Sequence, residues 1–137
     1  MSGKTKIPFL VTQTANGTGL PAAAEVVTLF NSVTAMGKRA MRNHQFYWFT
    51  YSIAPSTNAT GNSVTAQYSN DGGTTWLEFY ASATNEPVGD GTTFRDEIYI
   101  GDLDDIRVRF NNGAAAQATL FAVNMTLDAD ERGPSEA

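Results

Sequence analysis

Apolar and polar residues alternate with a period of two over much of this chain, the pattern of strands that bury one face. The pattern is clearest at 45–53, where Tyr47, Phe49, Tyr51 and Ile53 share one face, Trp48, Thr50 and Ser52 share the other, and Phe46 departs from the alternation. So many large side chains in one run predict a central core strand. Val64, Ala66 and Tyr68 alternate with Ser63, Thr65 and Gln67; Ser69-Asn70-Asp71-Gly72-Gly73 follows, and 75–80 runs back as Thr-Trp-Leu-Glu-Phe-Tyr. This predicts a hairpin, because Asp-Gly accepts the positive φ that tight β-turns need.

Further strands are predicted at 25–30, at 94–100 and at 106–110, where Ile106, Val108 and Phe110 alternate with Arg107 and Arg109. Those arginines are expected to face water or a partner. A last strand is predicted at 117–127, with Thr119, Phe121, Val123, Met125 and Leu127 on one face. Its other face, of Ala118, Leu120, Ala122, Asn124 and Thr126, suits a crowded inner position or a subunit contact. The stretch 33–42 reads as a loop and the start of a strand, with Gly37 arguing against a helix. The polar segments 54–62 and 81–93 read as surface loops.

These elements divide the chain into an extended N-terminal arm at 1–24, a β-sandwich domain at 25–127 and an acidic tail at 128–137. The arm reading rests on Pro8 within the short apolar run Ile7-Pro8-Phe9-Leu10-Val11 and on Gly17 and Gly19 beyond it. A first strand of the core is the equal alternative. About eight strands at short spacing, with no helical period, predict an all-β, single-domain β-sandwich of jelly-roll or immunoglobulin-like kind.

Composition narrows what such a domain does. The chain has 137 residues, ample for one core, and no cysteine, so disulfides and thiolate metal sites are excluded. No run of about 18 apolar residues is present for a membrane span, and the first ten residues lack the features of a secretory signal. The net charge of -5 is unevenly spread. Residues 1–70 carry five basic side chains against Glu25, and residues 71–137 carry four basic against thirteen acidic. An acidic chain is a poor nucleic-acid ligand, because phosphate repulsion opposes counterion release. The basic half suits docking on an acidic protein surface instead.

Candidate chemistry is sparse. His44 is the sole histidine, so a multi-histidine zinc site is excluded and any Ser-His-Asp triad depends on it alone. Asp102, Asp104 and Asp105, with Asp96 and Glu97 nearby, offer oxygen ligands for calcium but lack the alternation of an EF-hand loop; a solvated acidic turn is the plainer reading. Trp48, Trp76, Tyr80 and Tyr99 are the candidates for stacking on sugar rings, against a core-packing alternative. Asn16, Asn58 and Asn124 head glycosylation-type triplets expected by chance in an Asn/Thr-rich chain. No catalytic set, metal or cofactor is implied.

The sharpest local pattern is Ser69-x-Asp71-x-Gly73-x-Thr75-Trp76, which resembles the Asp-box of sialidases and related β-proteins. The resemblance implies a structural turn in which the aspartate caps backbone amides, glycine takes the open φ and the tryptophan packs beneath. Sialidase propellers repeat the box once per blade, and no second copy is present, so neither propeller nor glycosidase follows.

Across most of its length the chain resembles the small auxiliary proteins of tailed-bacteriophage virions. The features are its size, its lack of cysteine, its Asn/Thr/Gly/Ala-rich loops, the arm, the Tyr68–Trp76 hairpin and the Ile106–Gly113 strand and turn. Within that group it is most similar to the capsid decoration, or cement, proteins. The resemblance implies a non-enzymatic β-sandwich, often trimeric, bound to the major capsid protein on the virion surface. Lys4, Lys6, Ile7, Pro8, Phe9, Leu10 and Val11 are the expected capsid-binding residues. A carbohydrate- or receptor-binding module of a tail or fibre is the second reading.

Overall fold

The computed structural model describes residues 6–9, 24–55, 61–83, 85–87, 92–114, 117 and 121–128. Eight strands form in chain order: β1 (Lys6–Phe9), β2 (Val26–Asn31), β3 (Trp48–Pro55), β4 (Ser63–Ser69), β5 (Leu77–Ala81), β6 (Phe94–Tyr99), β7 (Asp105–Asn111) and β8 (Phe121–Asp128). They make two four-stranded sheets, sheet A in the order β1-β8-β3-β6 and sheet B in the order β2-β7-β4-β5. Every strand pairing is antiparallel.

This order is that of a ribbon folded on itself. β1 pairs with β8, β2 with β7, β3 with β6 and β4 with β5, and the two sheets are completed where β3 meets β8 and β4 meets β7. Only the β4–β5 connection stays within one sheet. An immunoglobulin sandwich would keep its first two strands together in one sheet. Here they lie in different sheets, so of the two predicted architectures the chain takes the jelly-roll one.

The alternating side chains meet as the period requires. Phe49, Tyr51 and Ile53 of β3 and Val123, Met125 and Leu127 of β8 are buried from sheet A, opposite Val64, Ala66, Ile106, Val108 and Phe110 of sheet B. A fully buried side chain of this size stabilises the fold by about 1.5–3 kcal/mol relative to leaving it in water. The central strand predicted at 45–53 is observed as β3, paired on both sides.

Three boundaries differ from expectation. Residues 33–42, read as loop and strand, contain helices α1 (Ser32–Met36) and α2 (Ala40–His44). Asn31 caps α1, its side-chain oxygen accepting from the amides of Val33 at 3.0 Å and Thr34 at 3.4 Å. Gly37 ends α1 rather than preventing it, with φ at +91° and its amide donating to the Val33 carbonyl at 2.9 Å. At the N-terminus, Lys6–Phe9 pairs residue by residue with Asp128–Met125, so this piece of the expected arm is an edge strand, where Pro8 is tolerated. At the other end, Asp128 closes β8 instead of opening the tail. The remainder of 1–24, and 129–137, lie outside the described residues.

Candidate functional site

The hairpin between β4 and β5 is the tip of the folded ribbon, and the Asp-box-like residues build it. The Ser69 hydroxyl donates to Asp71 Oδ1 at 2.7 Å and accepts from the amides of Gly73 at 2.9 Å and Asp71 at 3.3 Å. Asp71 Oδ1 accepts in turn from the amides of Thr74 at 3.1 Å and Thr75 at 2.9 Å. The Thr75 amide first, and then the Ser69 hydroxyl, hold the Asp71 carboxyl down to about 2. Gly72 and Gly73 take φ of +78° and +96°, which the turn requires. Trp76 is half-buried under Arg107, whose guanidinium carbon lies 4.7 Å from the ring centroid. The turn is therefore built from Ser69, Asp71, Gly73, Thr75 and Trp76, with its polar atoms turned inward on the chain.

The acidic turn between β6 and β7 is solvated at Asp102, whereas Asp104 and Asp105 are buried. Asp105 is buried: its Oδ1 accepts from the Ser32 hydroxyl at 3.0 Å and the Ala40 amide at 3.1 Å, and its Oδ2 accepts from the Arg39 amide at 2.7 Å. Asp104 accepts from Arg42 Nε, and its amide donates to Asn70 Oδ1 at 3.2 Å. The two carboxylates dock α1 and α2 onto β7, and the Asp104 amide ties in the hairpin tip. Ser32 completes the junction by accepting from the Ile106 amide at 3.0 Å. Among the described residues no group of three or more His, Asp or Glu is placed to hold a metal ion.

The aromatic candidates separate into distinct environments. Trp48 is buried and meets Tyr99 edge-on at 5.0 Å, and Tyr99 is 45% exposed on the outer side of sheet A. On that outer side lies a shallow depression of about 140 Å³ whose polar wall is Thr50, Ser52, Arg95, Asn124 and Thr126. Tyr80 is not free to stack on a sugar. Its hydroxyl lies 2.8 Å from that of buried Tyr51 and donates to Asp96 Oδ2 at 2.5 Å. Burial first, and then the bond to Asp96, push the Tyr80 phenol above its ordinary range; burial does the same to Tyr51.

His44 ends α2 in an exposed position and stacks on Phe46 with ring centroids 5.7 Å apart. The outer side of sheet B carries Arg107 and Arg109 on β7. Arg107 Nε donates to Gln67 Oε1 at 2.5 Å, and Arg109 Nε is buried without a hydrogen-bond partner. Such an orphaned buried donor costs about 1–3 kcal/mol in an isolated domain. Of the residues expected to bind a capsid, Lys6, Ile7, Pro8 and Phe9 form β1, while Lys4, Leu10 and Val11 lie outside the described residues. Asn16 and Asn58 also lie outside them; Asn124 is exposed within β8.

Sequence reasoning missed the Tyr51–Tyr80–Asp96 link, the docking role of Asp104 and Asp105, and the Trp76–Arg107 stack. The last had a visible signal, since Arg107 was expected to point outward from β7 beside a hairpin that ends in tryptophan. The others join elements distant in sequence, and no local spacing marks them.

No family model matches the chain, and no curated protein matches its sequence. Solved structures do share its fold. The PBSX exported protein XepA is similar over 94% of this chain at 15% identity with a TM-score of 0.58, and the chain spans 38% of that protein's length. A Bacillus endospore appendage subunit, from a family of disulfide-linked pili, is similar over 93% of this chain and 88% of its own, at 14% identity with a TM-score of 0.51. At such identities the common property is the architecture: this chain is a β-sandwich of a kind that also occurs in a pilus subunit and in part of an exported protein.

Proposed function

We propose that the chain is a non-enzymatic structural module of a tailed-phage particle, seated on the outside of the capsid shell and stabilising it. The observation that carries this reading is where the polar chemistry goes. Asp71, Asp96, Asp104 and Asp105 are each committed to internal hydrogen bonds that tie strands, helices and hairpin together. What is left for function is surface: the two outer sheet sides and the N-terminal edge at β1. A domain so arranged suits contact with other macromolecules rather than turnover. The pilus subunit of the same fold supports the reading, as a sandwich of this kind that works by assembly. Linkage through disulfides is closed to this chain, which has no cysteine.

In this role Lys4 and Lys6, with the apolar run beyond them, engage the major capsid protein at the β1 edge, and many copies offset the ordering cost of each. Because β1 belongs to sheet A, the test must spare it. A variant lacking residues 2–5 keeps Lys6–Phe9 and is expected to remain folded while losing co-sedimentation with shells and their added heat resistance. Undiminished binding by that variant would refute the N-terminal contact. Failure of the intact protein to bind shells would refute the role.

One observation favours the second reading, a glycan-binding module: exposed Tyr99 shares the outer side of sheet A with the shallow depression lined by Thr50, Ser52, Arg95, Asn124 and Thr126. Glycan-array binding abolished by Tyr99→Ala would establish it in place of the first.

A further inference from the structure

The outer side of sheet B presents a pair of arginines with no acid against them among the described residues. Arg107 and Arg109 occupy alternate positions of β7, so both project outward. Across the sheet Arg109 stands between Thr28 and Thr65, and Arg107 between Asn31 and Gln67. The nearest carboxylate in those rows is Glu78, opposite Gln67 on β5. It is two strands from Arg107, about 9–10 Å at ordinary strand spacing. The ion pairs of other arginines among the described residues involve Arg39 and Arg42 with Asp104, at the opposite side of β7's first residue. Arg109 Nε is buried and unpartnered, and the Arg107 guanidinium sits over Trp76 while its Nε donates to Gln67. Burial, and then Arg109 itself, push the Arg107 guanidinium down from its ordinary value. Two like charges on alternate positions of one half-buried face suit pairing with carboxylates.

The chain carries a matching segment. Residues 129–137 include Asp130, Glu131 and Glu136 against Arg132, and they follow directly from the end of β8 in sheet A. We propose that Arg107 and Arg109 receive the acidic C-terminal segment of a second copy of this chain, through carboxylate–guanidinium pairs, and so join copies head to tail. A contact of this kind is heterologous and closes into a ring or extends into a row. It goes beyond the capsid reading and requires no shell.

Sedimentation velocity on the purified protein tests it. The full chain is expected to associate with rising concentration at low salt and to dissociate at about 0.5 M salt, where the Debye length is well below 10 Å. A chain ending at Asp128, which retains every described residue, is expected to stay monomeric, as is Arg109→Gln. A labelled peptide of residues 129–137 should bind the shortened chain, and Arg109→Gln or Arg107→Gln should weaken that binding at least tenfold. Unchanged thermal midpoints of the variants exclude misfolding as the cause. A full chain that is monomeric throughout overturns the proposal, including the case of a tail folded onto its own sheet. So does association that survives removal of 129–137, or peptide binding indifferent to both arginines. None of these results bears on shell binding, so the two proposals fail separately.

Discussion

The hydroxyls of Tyr51 and Tyr80 lie 2.8 Å apart and join the two sheets of the sandwich, since Tyr51 belongs to β3 of sheet A and Tyr80 to β5 of sheet B. Tyr80 passes the link back to sheet A by donating to Asp96 on β6. The rings add an edge-to-face contact at 6.3 Å. Among the described strands β5 pairs only with β4, so this link is its second anchor. Tyr80→Phe leaves the Tyr51 hydroxyl unpaired in the core and is expected to cost about 1–3 kcal/mol. Urea denaturation measures it, and an unchanged midpoint would show that the link contributes nothing.

Both phenols should also resist ionisation. Their ordinary value is about 10, and burial raises both in the folded state. The stabilisation is therefore complete below about pH 10 and declines as pH rises further, since the unfolded chain ionises first. A spectrophotometric titration should show phenols that ionise only when the chain unfolds, and the Tyr80→Phe variant should show fewer of them.

Asp71 gives the opposite sign at the acid end. Its folded value of about 2 lies below the ordinary carboxyl range. Its contribution is present above about pH 4 and is lost as pH falls toward 2. In Asp71→Asn the acid-unfolding curve should lose part of its slope in that window, and amide exchange at Thr74 and Thr75 should quicken. Identical acid curves for the two proteins would contradict the geometry of the turn.

Asp105→Ala removes the acceptor shared by Ser32, Arg39 and Ala40. With two backbone donors and a hydroxyl left buried, the expected cost is about 3 kcal/mol or more. Asp105→Asn keeps one carbonyl oxygen and should fall between the two. Hydrogen exchange should locate the damage in α1 and α2, with β3 and β8 protected as before.

Arg109→Met should leave the isolated domain as stable or raise it by about 1 kcal/mol, because a buried donor without a partner is replaced by an apolar side chain of similar length. Thermal unfolding decides this. A clear loss would mean that the arginine has a partner within its own chain.

Much of this fold was legible in one dimension. A period of two leaves little choice about which side chains of β3, β4 and β7 turn inward, and Asp71-Gly72 announces the hairpin because few dipeptides accept its dihedral angles. The helices were hidden for a related reason. Each is only five residues long, too short for a helical period, and their start and stop lie in the Asn31 cap and the Gly37 φ.

The candidate surfaces were less legible. Asp102, Asp104 and Asp105 look alike as a run of acids, yet Asp102 is exposed while Asp105 is buried. What separates them is the arrival of α1 and α2 from some 65 positions earlier in the chain, a contact no local spacing encodes. The same holds for Tyr80, whose partners come from two other strands. Local pattern was enough for the strands from β2 onward, for the inward faces of β3, β4, β7 and β8 and for the turn at the ribbon's tip, because these follow from backbone geometry within a few residues. Tertiary structure alone decided the strand order and which polar side chains are consumed in holding it, because antiparallel ribbons of one pattern can roll in several ways and only the closed one pairs its distant donors and acceptors.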